Sequence, residues 1–456
     1  MKKNRGFTGI LIIGLILGII SGKIGICYGI VLGMAVIFMV SLVFKPHLSL
    51  YVLAGYSFVD YIFRYSGGLV SGLWDELLFI VMVGAFLINL IVTSKGFEYR
   101  LTSMDMPIIV FGGVSIFLLL INSPDMYIAL EGARVMLQHI VWYFAAVNIV
   151  KDKNIAKNVI KLLILITFII SLHGIYQYIV GVEIPSSWYD SAESGMRTRV
   201  FSIIGSPNIL GGLLVLVFPI TLAFGFNEIK PFKKIIYFLM TMSMMLCLVF
   251  TFSRGAWLAF CFVAVVFAIL KDKRLIIPIV IGVIVLVIAL PEIGNRMLYM
   301  FSPVYFASSA KGGRIIRWVQ AIETIKTGPL LGVGLGRYGG ATAMRYIPGS
   351  VYTDNFYLKT MAEMGVVGFI AFIFMLYRVV IESLKTIRYA EDSDTTNISI
   401  GIFTGLLGVL AHNLVENVFE VPMMTSYFWL LAAIMILFNK HITNKGDCDE
   451  KEYICS

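Results

Sequence analysis

The chain has 456 residues, of which 59% are hydrophobic and only 14% are charged, and its mean hydropathy is +0.89. A soluble globular domain carries roughly 25% charged residues, so this composition excludes a soluble enzyme. The formal net charge is +9, but the lysines and arginines lie mainly in alternate short loops, where they set membrane orientation. The charge therefore indicates topology and no nucleic-acid partner.

Apolar segments long enough to cross a bilayer recur from Phe7 to Lys440, because about 20 apolar residues span the hydrocarbon core. They predict an all-α polytopic membrane protein with about 12 to 14 transmembrane helices. Basic clusters between alternate spans place both termini in the cytoplasm. The predicted spans are residues 7–22, 24–44, 48–66, 73–93, 106–121, 126–150, 157–181, 203–226, 232–252, 255–270, 274–291, 355–380, 397–417 and 423–440.

Threading these spans through the membrane divides the chain into four parts. We predict an N-terminal transmembrane bundle over residues 1–291, a large extracytoplasmic loop over 292–353, C-terminal transmembrane helices over 354–440 and a cytoplasmic tail over 441–456. A second extracytoplasmic segment runs from Val182 to about Ser202. Any chemistry is expected in these two outer segments.

The outer segments and the adjoining helix ends are rich in arginine, although the positive-inside bias disfavours basic residues there. Arginine presents a rigid fork of donors to phosphate oxygens, so an outward-facing diphosphate ligand would explain the departure. Arg254 is the strongest candidate for a ligand contact, because no carboxylate lies three or four residues away to pair with it on a helix. An interfacial arginine that reaches lipid headgroups is the alternative. The other candidates are Arg199, Arg314 and Arg317, followed by Arg197 and Arg337.

Two carboxylates on the same side are candidate proton acceptors. Asp354 opens a predicted span, where an N-cap is the alternative role. Glu363 lies about two turns further on, where an intramembrane carboxylate is a functional hypothesis and a structural ion pair is the alternative. His412, Glu416 and Glu420 are spaced i, i+4, i+8 and share one predicted helix face. Since three ligands on one helix cannot surround a cation, we predict a hydrogen-bonded seam there and no metal site.

The segment from Gly332 to Gly336 looks like a dinucleotide fingerprint, since glycine occupies every second position. It lacks the surrounding strand and helix that such a fingerprint needs. We predict a tight-turn loop whose backbone amides approach an anion.

Several short motifs, taken in order, resemble the O-antigen ligase and O-antigen polymerase superfamily of membrane glycan transferases. They are Arg199 with Gly205-Ser206-Pro207-Asn208, the run from Thr251 to Trp257, Gly313-Arg314 with Trp318, Gly328-Pro329 with Gly332-Val333-Gly334, and the run from Asp354 to Gly368, with a weaker echo at His412-Asn413. Family ligases carry a His-Asn pair at the end of the loop, with Gly-x-x-Gly nine residues later, and the histidine is taken as the base. Here Asp354 replaces the histidine before Asn355, while Gly365 and Gly368 keep the spacing.

The resemblance implies a fold like that of the GT-C-type membrane glycosyltransferases, with a helical outer loop that caps a lateral cleft. It implies an undecaprenyl-pyrophosphate-linked glycan donor, held by Arg254 and the loop arginines at the outer face of the cytoplasmic membrane. We expect an inverting, metal-independent glycosyltransferase without a cofactor, in which Asp354, or less favourably Glu363, takes the proton of the acceptor hydroxyl. A flippase and a chain-length regulator are the implied protein partners.

The aspartate at position 354 favours a polymerase of surface-polysaccharide repeat units over a ligase that transfers the glycan to a lipid, peptidoglycan or protein acceptor. An anionic solute transporter or exporter is the rival from another class, and fourteen spans suit it. A transport site lies near the midplane between broken helices, however, whereas these arginines cluster in outer loops and at one helix end. A non-catalytic scaffold for polysaccharide assembly is the third alternative.

Overall fold

A computed structural model describes residues 45–66, 99–185, 188, 198–289 and 291–439, together with isolated positions between 74 and 84. These residues divide into two units, one holding the described residues up to 52 and from 62 to 99, the other residues 53–61 and 100–439. Within the described ranges the secondary structure is helical and contains no strand. The prediction of an all-α polytopic membrane protein is confirmed.

Several helices in the first part of the chain are shorter than the predicted spans. The helices are α1 (Leu48–Ala54), α2 (Tyr56–Ser66), α3 (Asp105–Ile121), α4 (Met126–Leu137), α5 (Val141–Ile149) and α6 (Lys153–Val180). The predicted span 48–66 is interrupted at Gly55, and the span 126–150 is divided by a 3₁₀ turn at Gln138–Ile140. The predicted spans 7–22 and 24–44, and most of 73–93, lie outside the described residues.

The next four helices differ in how deeply they are buried. They are α7 (Pro207–Asn227), α8 (Pro231–Phe250), α9 (Arg254–Lys271) and α10 (Ile276–Ala289). In α7, 89% of the most apolar window is buried within the protein, whereas the value for α8 is 22%. A helix that is apolar all round and buried lies at the centre of a bundle, so α7 is a core helix, whereas most of α8 is not covered by the described residues.

The large loop after α10 is itself helical. It contains α11 (Pro291–Tyr299), α12 (Pro303–Lys311), α13 (Arg314–Thr327) and α14 (Ala341–Tyr346). Ser302 caps α12 by accepting a hydrogen bond from the Tyr305 amide at 3.1 Å, and Pro303 occupies its first turn. Both residues are preferred at helix starts, so the polar loop sequence still specifies short helices.

The last three helices are α15 (Phe356–Arg388), α16 (Ser393–His412) and α17 (Pro422–Leu437). Helix α16 packs closely on α7, because a Cβ at Gly405 would overlap the backbone carbonyl of Leu216. Small residues at helix interfaces allow this backbone approach in membrane proteins. Within the described residues, six helices are long and apolar enough to cross a membrane, and two shorter apolar helices accompany them. The six are α6, α7, α8, α9, α15 and α16, and the shorter two are α3 and α17.

Helix α15 is broken at Gly365, which has φ 62° and ψ −169°. The loop 329–334 enters this break, and the Val366 amide donates a hydrogen bond to the Pro329 carbonyl at 2.9 Å. A Cβ at position 365 would overlap the backbone of Leu330. Glycine is therefore required here both for the positive φ and for the close approach of the loop.

The glycine-rich loop uses its backbone amides inside the protein. The Val333 amide donates to the Ala362 carbonyl at 2.9 Å, and the Gly334 amide donates to the Glu363 carbonyl at 3.1 Å. These carbonyls are available because the break in α15 removes their helical partners. The prediction that this loop directs its amides at an anion is therefore wrong for these two groups.

Candidate active site

Four charged side chains meet where α13 and α15 begin: Arg314, Arg317, Asp354 and Glu416, which we call the Asp354 cluster. Oδ2 of Asp354 accepts a hydrogen bond from Nη1 of Arg317 at 2.6 Å and lies 3.8 Å from Nε of Arg314. Nη2 of Arg314 lies 3.7 Å from Oε2 of Glu416. The four side chains are between 14% and 31% exposed, so the cluster opens to the surroundings on one side.

Asp354 adopts a backbone conformation that is uncommon outside glycine, with φ 52°. The N-cap of α15 is the next residue, Asn355, whose side chain accepts hydrogen bonds from the Tyr357 and Leu358 amides at 3.0 Å each. The alternative role of Asp354 as the helix cap is therefore wrong. Because Asn355 satisfies the first amides of the helix, the Asp354 carboxylate remains available to the arginines.

The residues on both sides of Asp354 are fixed by hydrogen bonds. The Thr353 amide donates to the Gly339 carbonyl at 3.0 Å, and the Asn355 amide donates to Oδ1 of Asn417 at 3.1 Å. Nδ2 of Asn417 donates in turn to the same Gly339 carbonyl at 2.7 Å. These bonds hold the left-handed turn in place, as a strained residue requires.

Glu416 is connected to a second predicted site residue, Arg199, through Asn208 at the start of α7. Nδ2 of Asn208 donates to Oε2 of Glu416, while its Oδ1 accepts from Nη2 of Arg199 at 3.1 Å. Arg199 is buried, and its other nitrogens donate to the Thr251 and Trp188 carbonyls. Its guanidinium thus binds protein acceptors and orients the amide of Asn208.

The environment of Glu416 changes its acidity. Its carboxylate is mostly buried, with 14% of the side chain exposed. Burial, followed by the nearby charge of Asp354, raises the pKa of Glu416 to about 7, although Arg314 and Asn208 act in the opposite direction. Burial therefore favours the protonated form of Glu416 more than it does for an exposed glutamate.

Arg254 lies at the start of α9 between two aromatic rings. Its guanidinium carbon is 5.2 Å from the ring centroid of Tyr299 and 5.2 Å from that of Tyr305, which is the geometry of cation–π contacts. The preceding turn is held by Arg296, whose Nε donates to the Phe252 carbonyl at 2.9 Å. The large loop therefore fixes the position of Arg254 through α11 and α12.

His412 is buried at the end of α16, between α7 and α9. A Cβ at Gly212 would lie 3.1 Å from its Nδ1, and a Cβ at Gly255 would lie 3.4 Å from its Nε2. Nδ1 has no hydrogen-bond partner among the described residues. Since Gly255 follows Arg254, the first turn of α9 lies beside the end of the helix that leads to Glu416.

The prediction that His412, Glu416 and Glu420 share one helix face is wrong. Helix α16 ends at His412, and Oδ1 of the next residue, Asn413, accepts a hydrogen bond from the Phe419 amide. The chain therefore turns before either glutamate. Glu416 faces Arg314, whereas Glu420 contacts a lysine of α15, so the two carboxylates serve different clusters.

Glu363 belongs to this second cluster. Its Oε2 lies 2.7 Å from Nζ of Lys359, which also lies 3.2 Å from Oε1 of Glu420, and all three side chains are buried. Oε1 of Glu363 accepts from the Tyr338 amide at 3.2 Å, and Oε2 of Glu420 accepts from the Ala341 amide at 3.1 Å. The structure thus places Glu363 in an ion triad that holds the loop before α14.

The remaining two sequence candidates are Arg337 and Arg197. Arg337 is in the glycine-rich loop, where its Cδ packs near Gly334, and none of the ionic contacts found among the described residues joins it to the Asp354 cluster. Arg197 lies outside the described residues. The structure therefore brings together Arg314, Arg317 and Asp354, and connects Arg199 to them through Asn208 and Glu416.

Sequence reasoning missed several residues that shape the site. Glu416 was expected only in a polar seam, because its contact with Arg314 is made across about a hundred residues of chain. The ion pair of Lys359 with Glu363 could have been predicted from the sequence, because Lys and Glu at positions i and i+4 of an apolar helix favour such a pair. The other missed residues are Arg296, Tyr299 and Tyr305.

Residues 237–373 match the family model described as O-antigen ligase. This segment of the chain is similar to the O-antigen ligase family. The predicted resemblance to the O-antigen ligase and polymerase superfamily is therefore confirmed, and the general chemistry of the domain is glycan transfer. The matched segment includes Arg254, Arg314, Arg317 and Asp354, whereas Asn208 and Glu416 lie outside it. A comparison with curated proteins found no match.

Proposed function

We propose that the protein transfers an oligosaccharide from undecaprenyl pyrophosphate to an acceptor hydroxyl at the outer face of the cytoplasmic membrane, and that it polymerises the repeat units of a surface polysaccharide. The similarity of residues 237–373 to O-antigen ligases supports the general class of reaction. The single observation that favours this function is the Asp354 cluster, in which two partly exposed arginines lie beside two carboxylates. Such a cluster combines anion recognition with proton acceptance, and this reaction needs both.

The diphosphate of the donor is the proposed ligand of three arginines. Arg314 and Arg317 are 27% and 31% exposed, so their guanidinium groups can contact a ligand while they hold Asp354. Arg254 adds a third guanidinium at the start of α9, where the helix dipole also favours an anion. Arg199 supports the site indirectly, because its donors already bind protein groups and orient Asn208.

The proposed reaction is a single displacement. The oxygen of the acceptor hydroxyl forms a bond with the anomeric carbon as the bond from that carbon to the diphosphate oxygen breaks. The electron pair leaves with undecaprenyl pyrophosphate, and a carboxylate of the Asp354 cluster accepts the hydroxyl proton. One displacement inverts the anomeric configuration, and the guanidinium groups stabilise the negative charge that develops on the leaving group.

Ligation is the second candidate, and the description of the matching family as O-antigen ligase favours it. A ligase would use the same donor site and would transfer the completed glycan to a lipid, peptidoglycan or protein acceptor. The two reactions differ in the product obtained from the donor alone. A polymerase makes a ladder of lengthened glycans, whereas a ligase needs a separate acceptor.

The test is an incubation of purified protein in detergent with an undecaprenyl-pyrophosphate-linked oligosaccharide, with and without a chelator, followed by separation of the products by size. We expect a ladder that is unchanged by the chelator. Arg314→Ala and Arg317→Ala should each lower the initial rate by about 100-fold, as expected for removal of one preorganised donor. Arg337→Ala is the matched control and should retain the rate.

Two outcomes would contradict the whole proposal, and a third would contradict polymerisation. A rate that falls equally in Arg314→Ala, Arg317→Ala and Arg337→Ala would show that general loop stability, rather than the Asp354 cluster, governs turnover. An unmodified donor, even when lipid, glycan and peptidoglycan acceptors are added, would exclude glycan transfer from this donor. Products that form only with an added acceptor would decide for ligation.

A further inference from the structure

We propose that Glu416, and not Asp354, accepts the proton of the attacking hydroxyl. The inference rests on the proposed function, since it assigns a role within that glycan transfer. It differs from the motif-based expectation, in which the residue directly before Asn355 is the base. Its support is the unequal surroundings of the two carboxylates of the Asp354 cluster.

The carboxylate of Asp354 is already bound to a guanidinium group. Its Oδ2 accepts a charge-assisted hydrogen bond from Arg317 at 2.6 Å, and the same oxygen faces Nε of Arg314 at 3.8 Å. Its backbone carbonyl also accepts from Nε1 of Trp318 at 3.4 Å. These contacts are those of a residue that fixes two arginines, because short charge-assisted bonds are the strong ones in proteins. We therefore assign Asp354 a positioning role.

Glu416 is held in place by a neutral hydrogen-bond donor, and its contact with Arg314 is longer than the bond between Asp354 and Arg317. Its Oε2 accepts from the amide of Asn208, and that amide is oriented by Arg199. The nearest arginine contact is with Nη2 of Arg314 at 3.7 Å, and it falls on the same Oε2. The backbone amide of Asn417 also donates to this carboxylate. The side chain is 14% exposed, so the carboxylate can be reached by an incoming hydroxyl group.

The charges that face Glu416 come from several elements. Arg314 reaches it from α13 and Asp354 from the turn before α15, and Tyr352 lies close enough for its own pKa to be raised in part by Glu416. His412 precedes it by four residues at the end of α16. With its pKa raised to about 7, Glu416 is well matched to accept a proton at neutral pH, since a general base works best when its pKa lies near the working pH.

The proposed step accounts for every proton and electron pair without another reactant. The hydroxyl proton passes to the Glu416 carboxylate while the new glycosidic bond forms and the electron pair of the broken bond leaves with the diphosphate. Glu416 then returns its proton to solvent before the next cycle. The residue must therefore be ionised at the start, so the rate should rise with pH through an apparent pKa of about 7.

The experiment compares Glu416→Gln with Asp354→Asn in the full-length protein, using the undecaprenyl-pyrophosphate-linked oligosaccharide as the probe. Glu416→Gln keeps an acceptor for the Asn208 amide but cannot take up a proton. We expect it to bind the donor within about threefold of the original protein and to lose about 100-fold or more in rate, together with the acidic limb of the pH profile. Thermal unfolding and gel-filtration profiles check that the variant is folded.

Asp354→Asn gives the opposite signature. It should weaken donor binding, because Arg317 and Arg314 lose their anchor, and it should keep an acidic limb. That limb should move to lower pH, since the charge of Asp354 is one cause of the raised pKa of Glu416. Glu416→Asp, which restores a carboxylate one methylene shorter, should recover part of the rate lost in Glu416→Gln.

The outcomes separate this inference from the proposed function. If the unmodified protein makes no glycan product, the proposed function fails. If it makes product and folded Glu416→Gln keeps both the rate and the acidic limb, the role of Glu416 is refuted. Loss of the limb in Asp354→Asn, with its retention in Glu416→Gln, would return the base to Asp354.

Discussion

The buried lysine of α15 provides a test that separates a structural Glu363 from a catalytic one. Lys359 lies between Glu363 and Glu420, at 2.7 Å and 3.2 Å, and the three side chains are only 3%, 1% and 6% exposed. Lys359→Met leaves two buried carboxylates without their cation, and removing one partner of a buried ion pair costs about 3–5 kcal/mol. Glu363→Gln leaves Lys359 paired with Glu420, so we expect a smaller loss of about 1–3 kcal/mol.

The assay has two readouts. The free energy of unfolding is followed by denaturant titration in mixed micelles, and the initial rate of glycan transfer is divided by the folded fraction. Both variants should keep most of their turnover per folded molecule, because neither touches the Asp354 cluster. The double variant Lys359→Met with Glu363→Gln should lose less stability than the sum of the two, since residues in one network are not additive.

The matched control is an exposed pair with the same distance between nitrogen and oxygen. Lys326 and Glu323 on α13 are also separated by 2.7 Å, but their side chains are 65% and 63% exposed. Lys326→Met should therefore cost less than about 1 kcal/mol. The reasoning is refuted if Lys359→Met is as stable as Lys326→Met. Glu363 becomes a catalytic residue, as the sequence suggested, if Glu363→Gln keeps its stability and loses about 100-fold in turnover per folded molecule.

Three further predictions follow from the contacts around the site. Gly365→Ala places a Cβ against Leu330 and forces a positive φ on alanine, so it should lower the thermal midpoint and increase protease cleavage in the loop 329–334; an unchanged midpoint would contradict the requirement for glycine. Tyr305→Leu should weaken donor affinity about fivefold by removing one cation–π contact with Arg254, whereas Tyr305→Phe should change it little; equal losses would exclude the ring as the cause. Arg199→Gln frees buried carbonyls and should destabilise the fold by about 1–3 kcal/mol, measured by the same denaturant titration; a change confined to donor affinity would instead indicate direct contact with the diphosphate.

The helical spans could be predicted because hydropathy is a local property. The predicted span 203–226 corresponds to α7, and 232–252 to α8, with differences of a few residues at the ends. The interruptions of the helices were harder to predict. Gly365 lies within a predicted span that continues on both sides of it, and only the loop that enters the break reveals why the helix stops there.

The part of the candidate site that could be predicted was the part that residue type and position along the chain identify. The arginines at the start of α13 and the aspartate before α15 were identified from residue type and position, and the structure places them within hydrogen-bond or ion-pair distance. Glu416 was recognised only as part of a helix face, because its assignment depended on where α16 ends. That end is set by the side chain of Asn413, whose bond to the Phe419 amide turns the chain.

The spacing between Asn355 and Gly365 links the helix pattern of the sequence to the geometry of the candidate site. Asn355 starts α15 and Gly365 interrupts it, so the intervening helical segment is nine residues, or about 13 Å, long. Helix α13 begins at this segment, where Arg317 binds Asp354, and the loop that follows α13 enters the break at Gly365. Both ends of α13 are thereby fixed against the same stretch of α15. One inserted residue would rotate the break by about 100° relative to the cap. The spacing of this motif is therefore explained by the mechanical requirement that α13 present its arginines to Asp354.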